Sequence, residues 1–209
     1  RLLFLGVLGI ALAARIAAFL ARPDIYPDGF FQYLEPAWWK LHGYGWLAWE
    51  WSPSVWLRSW VPPGYYGAWM VLLGWLGIDE PAVLYDFFAL HWCVLSLAAV
   101  VAAYRIGFVL AHPRLEPASS GDADPTAFAG GIWAALGVAL CPVVAYFTPQ
   151  TVIDSAVLVP FGLGLAAWLE AIRPSDRRGL RGPLVAGLWL GLGSCLRIPY
   201  APLAVLVRP

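Results

Sequence analysis

From Leu2 to Ala21 the chain carries a single charge, Arg15. A bilayer core of about 30 Å needs roughly 20 apolar residues in helical form, so this run predicts a membrane span. Comparable runs follow at Phe87–Ala111, Ala127–Phe147, Ala156–Ile172 and the glycine-interrupted Pro183–Leu196, and a further one begins near Tyr200. Only 12% of the residues are charged, where a soluble domain usually has about 25%. Mean hydropathy is +0.69. The fold class that follows is an all-α polytopic membrane protein, a single transmembrane domain over residues 1–209. Net charge is zero, which leaves no basic surface for nucleic acid.

Arg15 interrupts the first apolar run, and no small-x-small cleavage site follows it, so an anchor is expected rather than a signal peptide. Because the chain starts at Arg1 and stops soon after an apolar stretch begins, it is expected to be the N-terminal part of a longer one. Cys93, Cys141 and Cys195 are far apart inside apolar segments and read as small buried core residues rather than a metal set.

Positive charge orients the spans. The connection "IRPSDRRGLRG" holds four arginines, Arg173, Arg177, Arg178 and Arg181, and is the strongest cytoplasmic signal. Loops 112–126 and 173–182 are then cytoplasmic. Residues 22–86 form one outer loop, within which Gly64–Ile78 is too short to cross and is expected to re-enter or lie on the surface. Nine of the thirteen tryptophans fall between Trp38 and Trp75. Indole prefers the headgroup zone, so this loop is expected to lie on the membrane as amphipathic helices, with Pro36 allowing only a short helix on either side.

With this parity, three polar sites share one face: Asp28, the "TPQTVIDS" segment with Asp154, and "LRIPY" with Arg197. Ionisable groups near the membrane are costly and tend to mark function. A carboxylate there suits a general base toward a hydroxyl, and an arginine suits a phosphate. The combination suggests group transfer from a lipid-linked phosphate to an alcohol. No phosphate-binding or dinucleotide glycine motif appears. His42, His91 and His112 are isolated, and His91 reads as a packing or hydrogen-bonding residue. The alternative is a non-catalytic transporter or lipid-carrier subunit, although no internal repeat supports one.

The stretch "YPDGFFQYLEPAWWKLHGYGWLAWEWSPSVWLRSW" resembles the first lumenal-loop signature of the dolichyl-phosphate-mannose-dependent mannosyltransferases of the GT-C superfamily, the group that assembles N-glycans and GPI anchors. Pro27, Asp28, Gln32, Glu35, Gly43-Tyr44-Gly45, Trp49-Glu50-Trp51, Ser52-Pro53 and Arg58-Ser59 match in order. "YFTPQTVIDSAVL" is similar to that group's Arg-Thr segment, with Thr148 in the Thr slot and Asp154 near the acidic slot. "GLGSCLRIPYAPL" is similar to its glycine-rich span ending in Arg-Pro, with Arg197 in the Arg slot. The chain departs from the pattern where Tyr26 replaces the usual His, Gly29 the second acid and Phe147 the Arg, and where the Asn of the Arg-Thr segment has no obvious counterpart.

The resemblance implies a GT-C-type helical bundle and an inverting transfer of mannose from a polyprenyl- or dolichyl-phosphate to a glycan or glycolipid hydroxyl. Asp28 is the implied base. Tyr26, Gln32, Glu35, Trp49, Asp154 and Arg197 are the implied substrate contacts, and no metal or other cofactor is implied. Abundant Ala, Gly, Trp and Arg beside a single Lys suggest a GC-rich bacterial genome. The expected location is a bacterial inner membrane with an outward-facing site, or the endoplasmic reticulum membrane in a eukaryote.

Overall fold

The computed structural model describes residues 1–22, 27–52, 58–111, 124–150, 153–172 and 181–196, with the backbone alone at 153–155. All regular structure among these residues is helical, as composition predicts. The helices are α1 (Leu2–Ala21), α2 (Pro27–Gly29), α3 (Glu35–His42), α4 (Val61–Trp75), α5 (Pro81–Leu95), α6 (Leu97–Ala111), α7 (Pro125–Leu140), α8 (Pro142–Phe147), α9 (Ile153–Ala171) and α10 (Arg181–Leu196).

By length and composition, α1 and the 31-residue helix Pro81–Ala111 are long and apolar enough to cross a membrane, and α7 with the Pro142–Gln150 segment, bent by 52°, is so only when the pair is counted as one broken span. The apolar part of α9, Ala156–Ala171, is shorter. The predicted span Phe87–Ala111 therefore starts earlier, at Pro81, because proline fits the first helical turn, where its missing N–H has no partner to lose. At 15 residues, α4 is about 22 Å long, shorter than a bilayer core of about 30 Å.

Two ion pairs bracket the apolar slab. Arg22, just after α1, pairs with Asp86 on α5, and Arg105 on α6 makes a bidentate pair with Glu170 on α9, at 2.8 and 2.7 Å. Asp86 and Arg105 are separated by about 28 Å at 1.5 Å per residue, close to one hydrocarbon thickness. The end of α1 and the start of α5 thus share one end of the bundle, and the ends of α6 and α9 share the other.

Among the described residues, apolar side chains gather in two cores. Val7, Ala11, Val100, Ile132, Ala135 and Ala139 join α1, α6 and α7. Lipid gives apolar helices no hydrophobic reason to associate, so close backbone approach carries the packing there. A Cβ on Gly107 would lie 2.5 Å from the Gly130 carbonyl oxygen, and one on Gly130 would lie 2.2 Å from Ala111 Cβ. Gly130→Leu is therefore expected to splay α6 from α7, costing about 1–3 kcal/mol or more as overpacking. Fluorescence-detected size exclusion should show loss of the folded peak. Outward residues such as Leu2, Leu3, Leu5 and Leu20 are exposed, as lipid-facing side chains are.

The second core lies at the Asp86 end. Tyr33, Leu34, Ala37, Tyr66, Met70, Leu84, Tyr85, Phe88 and Trp92 meet Ala156 and Val157 of α9, with Leu196 of α10 packed against them. The expected burial of all three cysteines is corrected. Cys93 is buried, Cys141 is half-buried at the α7–α8 break, and Cys195 is exposed on α10, where a small apolar thiol costs nothing against lipid.

Candidate functional site

Residues 27–42 form one continuous helical run in which α2 passes through a π-segment, Phe30–Leu34, into α3. The expectation that Pro36 splits it is corrected. Proline removes the N–H that the preceding turn needs and crowds its carbonyl. The wider π-turn absorbs this, the Glu35 N–H reaching back to the Phe30 carbonyl. Such bulges recur at functional sites. Asp28 stands exposed in the first turn of the run, where free backbone N–H groups favour an anion. Its Oδ1 accepts a long, 3.4 Å hydrogen bond from Gln32 Nε2.

The other acids of the signature are used to hold the loop. Glu35 Oε1 accepts the Trp46 N–H at 2.7 Å beside Gly45, whose φ of +136° suits glycine alone. A Cβ there would sit 2.9 Å from that same oxygen, so the Gly-Tyr-Gly turn and Glu35 fit as a unit. Glu35→Gln, which retains the acceptor, is expected to hold the turn. Glu35→Ala should lower stability by about 0.5–1.5 kcal/mol through the lost hydrogen bond, as a thermal melt in detergent would show.

Glu50 and Arg58 form a 2.9 Å ion pair with side chains only 14% and 19% exposed, and Arg58 Nη1 donates to the Tyr33 hydroxyl at 3.4 Å. Between them the 3-10 turn Trp49–Trp51 sends Trp51 inward against Trp60, ring centroids 4.5 Å apart. Trp49 is turned outward, 67% exposed, next to Trp46, Leu47 and Phe31. Ser59 Oγ accepts the Val61 N–H and so caps α4. The signature thus builds a braced platform under the Asp28 helix.

The second motif reaches the same end of the bundle. Thr148, Pro149 and Gln150 are buried and pack on α1 and α5, and the Thr148 hydroxyl donates to the Val144 carbonyl at 2.5 Å. The start of α9 and the end of α10 join the platform core through Ala156, Val157 and Leu196. The helical run that carries Asp28, the start of α9 and the end of α10 therefore converge. Tyr26, Pro53, Arg197 and the side chain of Asp154, like most of the two predicted cytoplasmic loops, lie outside the described residues.

Of the cavities beside the platform, two reach between the helices. One, of about 280 Å³, has Trp38, Tyr44, Tyr85 and Phe88 among its walls and Glu35 as its charged member. The other, of about 330 Å³, runs between α4, α5, α9 and α10 along Tyr65, Trp92, Val159, Leu163 and Trp189. Burial pushes the Tyr65 phenol up from its ordinary pKa, and it pushes the fully buried Tyr66 phenol up further despite the hydrogen bond from Trp92 Nε1. Both therefore stay neutral at physiological pH. As expected, His91 packs and hydrogen-bonds, its ring nitrogen against the Tyr65 hydroxyl and its face on Phe87. Sequence reasoning missed the Glu50–Arg58 brace, for which the acid and base eight residues apart were a readable signal. It also gave no role to Arg15, although a lone charge inside an apolar run is one.

Residues 7–175 match the family model described as the Alg9-like mannosyltransferase family. A 167-residue stretch, 78% of the chain, is 29% identical to GPI mannosyltransferase 3 of Yarrowia lipolytica, and covers 29% of that relative's length. The chain thus spans under a third of the curated relative it matches. No solved structure matches it.

Proposed function

Because the chain belongs to the Alg9-like mannosyltransferase family, we propose that it supplies the base-bearing face of a membrane enzyme moving mannose from a polyprenyl- or dolichyl-phosphate to a hydroxyl of a glycan or glycolipid. Family membership favours this enzyme reading over a transporter or lipid-carrier subunit. One observation carries the assignment of the base. Of the signature's three described acids, Glu35 and Glu50 are tied to a backbone N–H and to Arg58, while Asp28 is exposed.

In this reading the Asp28 carboxylate takes the proton of the acceptor hydroxyl as its oxygen attacks the anomeric carbon. The bond from that carbon to the phosphate oxygen breaks, and the lipid phosphate leaves with the electron pair. Attack from the opposite face inverts a β-linked donor to an α-linked product. Arg197 holds the departing phosphate, and Asp154 and Tyr26 add contacts from the neighbouring segments. Gln32 steadies Asp28. Trp49 offers a stacking face, and Glu35 borders the aromatic cavity. The apolar groove between α4 and α10 suits the prenyl tail. The site faces the outer or lumenal side, in a bacterial inner membrane or in the endoplasmic reticulum.

Full-length protein in liposomes, offered either polyprenyl-phosphate mannose or a mannose nucleotide, is expected to use the lipid donor alone. Transfer should persist in excess chelator, in keeping with a carboxylate-driven reaction. Use of the nucleotide sugar, or activity lost to the chelator and restored by a divalent ion, would count against this reading.

A further inference from the structure

Val7, Ala11 and Arg15 form the buried stripe of α1, four residues apart and hence on one helix face. Arg15 is fully enclosed, yet it makes no ion pair among the described residues. A cation in that position is costly unless something replaces its water. Its hydrogen bonds show what does. Nε donates to Ser96 Oγ at 2.6 Å, and Nη1 donates to the carbonyls of Ala11, at 2.9 Å, and Ala139, at 3.4 Å.

Of the two distant partners, Ala139 sits at a helix break and Ser96 at a single turn residue within the long Pro81–Ala111 helix. Ser96 is the turn residue between α5 and α6, its hydroxyl in turn donating to the Cys93 carbonyl. Ala139 lies at the end of α7, where Cys141 turns extended and Pro142 opens α8. Proline offers no N–H there, so the last carbonyls of α7 lack helical donors. They are also the negative end of the α7 dipole, which favours a cation. The guanidinium thus supplies a donor to the break, while its Nη2 is left buried without a partner among the described residues.

We propose that Arg15 is a positioning residue that pins the α7–α8 break, and through it places the Thr148–Gln150 turn against α1 and α5 at the Asp28 end of the bundle. Its planar fork reaches Ser96 and Ala139 at once, which a lysine ammonium does not. The effect on catalysis rests on the mannosyltransferase reading, whereas the effect on the break does not.

The test is hydrogen exchange by mass spectrometry on the full-length protein in lipid nanodiscs, comparing wild type with Arg15→Gln, Arg15→Lys and Ser96→Ala. Amides of 143–150 should exchange about tenfold faster in Arg15→Gln, the factor expected for one lost hydrogen bond of ordinary strength. Those of α10 should be unchanged, and the other two variants intermediate. Transfer assays should show kcat falling in the same order while the donor KM holds. Unchanged exchange at 143–150, or equal acceleration in every helix, overturns the proposal. If Arg15→Gln fails to insert, Ser96→Ala decides by the same criteria. Local acceleration in a protein without transferase activity upholds the pin and rejects the functional reading instead.

Discussion

Asp28→Asn leaves the protein folded and stops transfer. Removing a general base typically costs 10²–10⁴-fold, so kcat should fall by at least about a hundredfold. The amide is nearly isosteric and still accepts the Gln32 hydrogen bond, but it does not take a proton at neutral pH. The side chain is exposed and among the described residues is seen to meet Gln32 alone, so stability should change by no more than about 0.5 kcal/mol. Radiolabelled mannose transfer reads the first effect, and a thermal melt of the same preparation reads the second. Full activity in Asp28→Asn would remove Asp28 from the mechanism. Equal loss of fold and activity would make it structural.

Glu50→Ala is the second large effect, of a different kind. It takes the carboxylate partner from the Arg58 guanidinium, whose side chain is 19% exposed, and breaking a buried pair costs up to about 3–5 kcal/mol. The brace ties the Trp49–Trp51 turn to the segment entering α4 and, through the Tyr33 hydroxyl, to the π-segment beneath Asp28. Melting temperature and transfer should therefore fall together. Glu50→Leu combined with Arg58→Met removes both charges and should recover most of the stability, since an apolar replacement of a buried pair is often neutral. It should not recover transfer in full, because the link to Tyr33 is gone. If the double variant is as unstable as the sum of the singles, the two side chains do not act as a pair.

Length and hydropathy made the helical architecture legible, because backbone polar groups in lipid must be satisfied within the helix. Periodicity did not settle where each helix begins. Pro36 reads as a breaker, yet the π-segment at Phe30–Leu34 gives the chain room to pass it. Pro81 opens α5 well before the apolar run becomes continuous. The signature residues were visible in order, but not their division of labour. Glu35 and Asp28 look alike in sequence and differ in that one meets the Trp46 N–H while the other stands clear. Arg15 illustrates the remaining limit. Its partners Ser96 and Ala139 are 81 and 124 residues away, so only packing shows that an isolated charge serves a helix break and a turn within a helix. The exposure of Cys195 was hidden for a related reason: an apolar helix does not announce which face it turns to lipid.

The central claim is that a carboxylate on this face drives inverting transfer from a lipid phosphate. Its most direct test is a single-turnover reaction of the full-length protein with β-linked polyprenyl-phosphate [¹³C]mannose and a glycolipid acceptor, followed by NMR at the anomeric carbon. An α-linked product and release of the lipid monophosphate are expected, both absent in Asp28→Asn. A β-linked product, or α-linked product formed at the wild-type rate by Asp28→Asn, would contradict that claim.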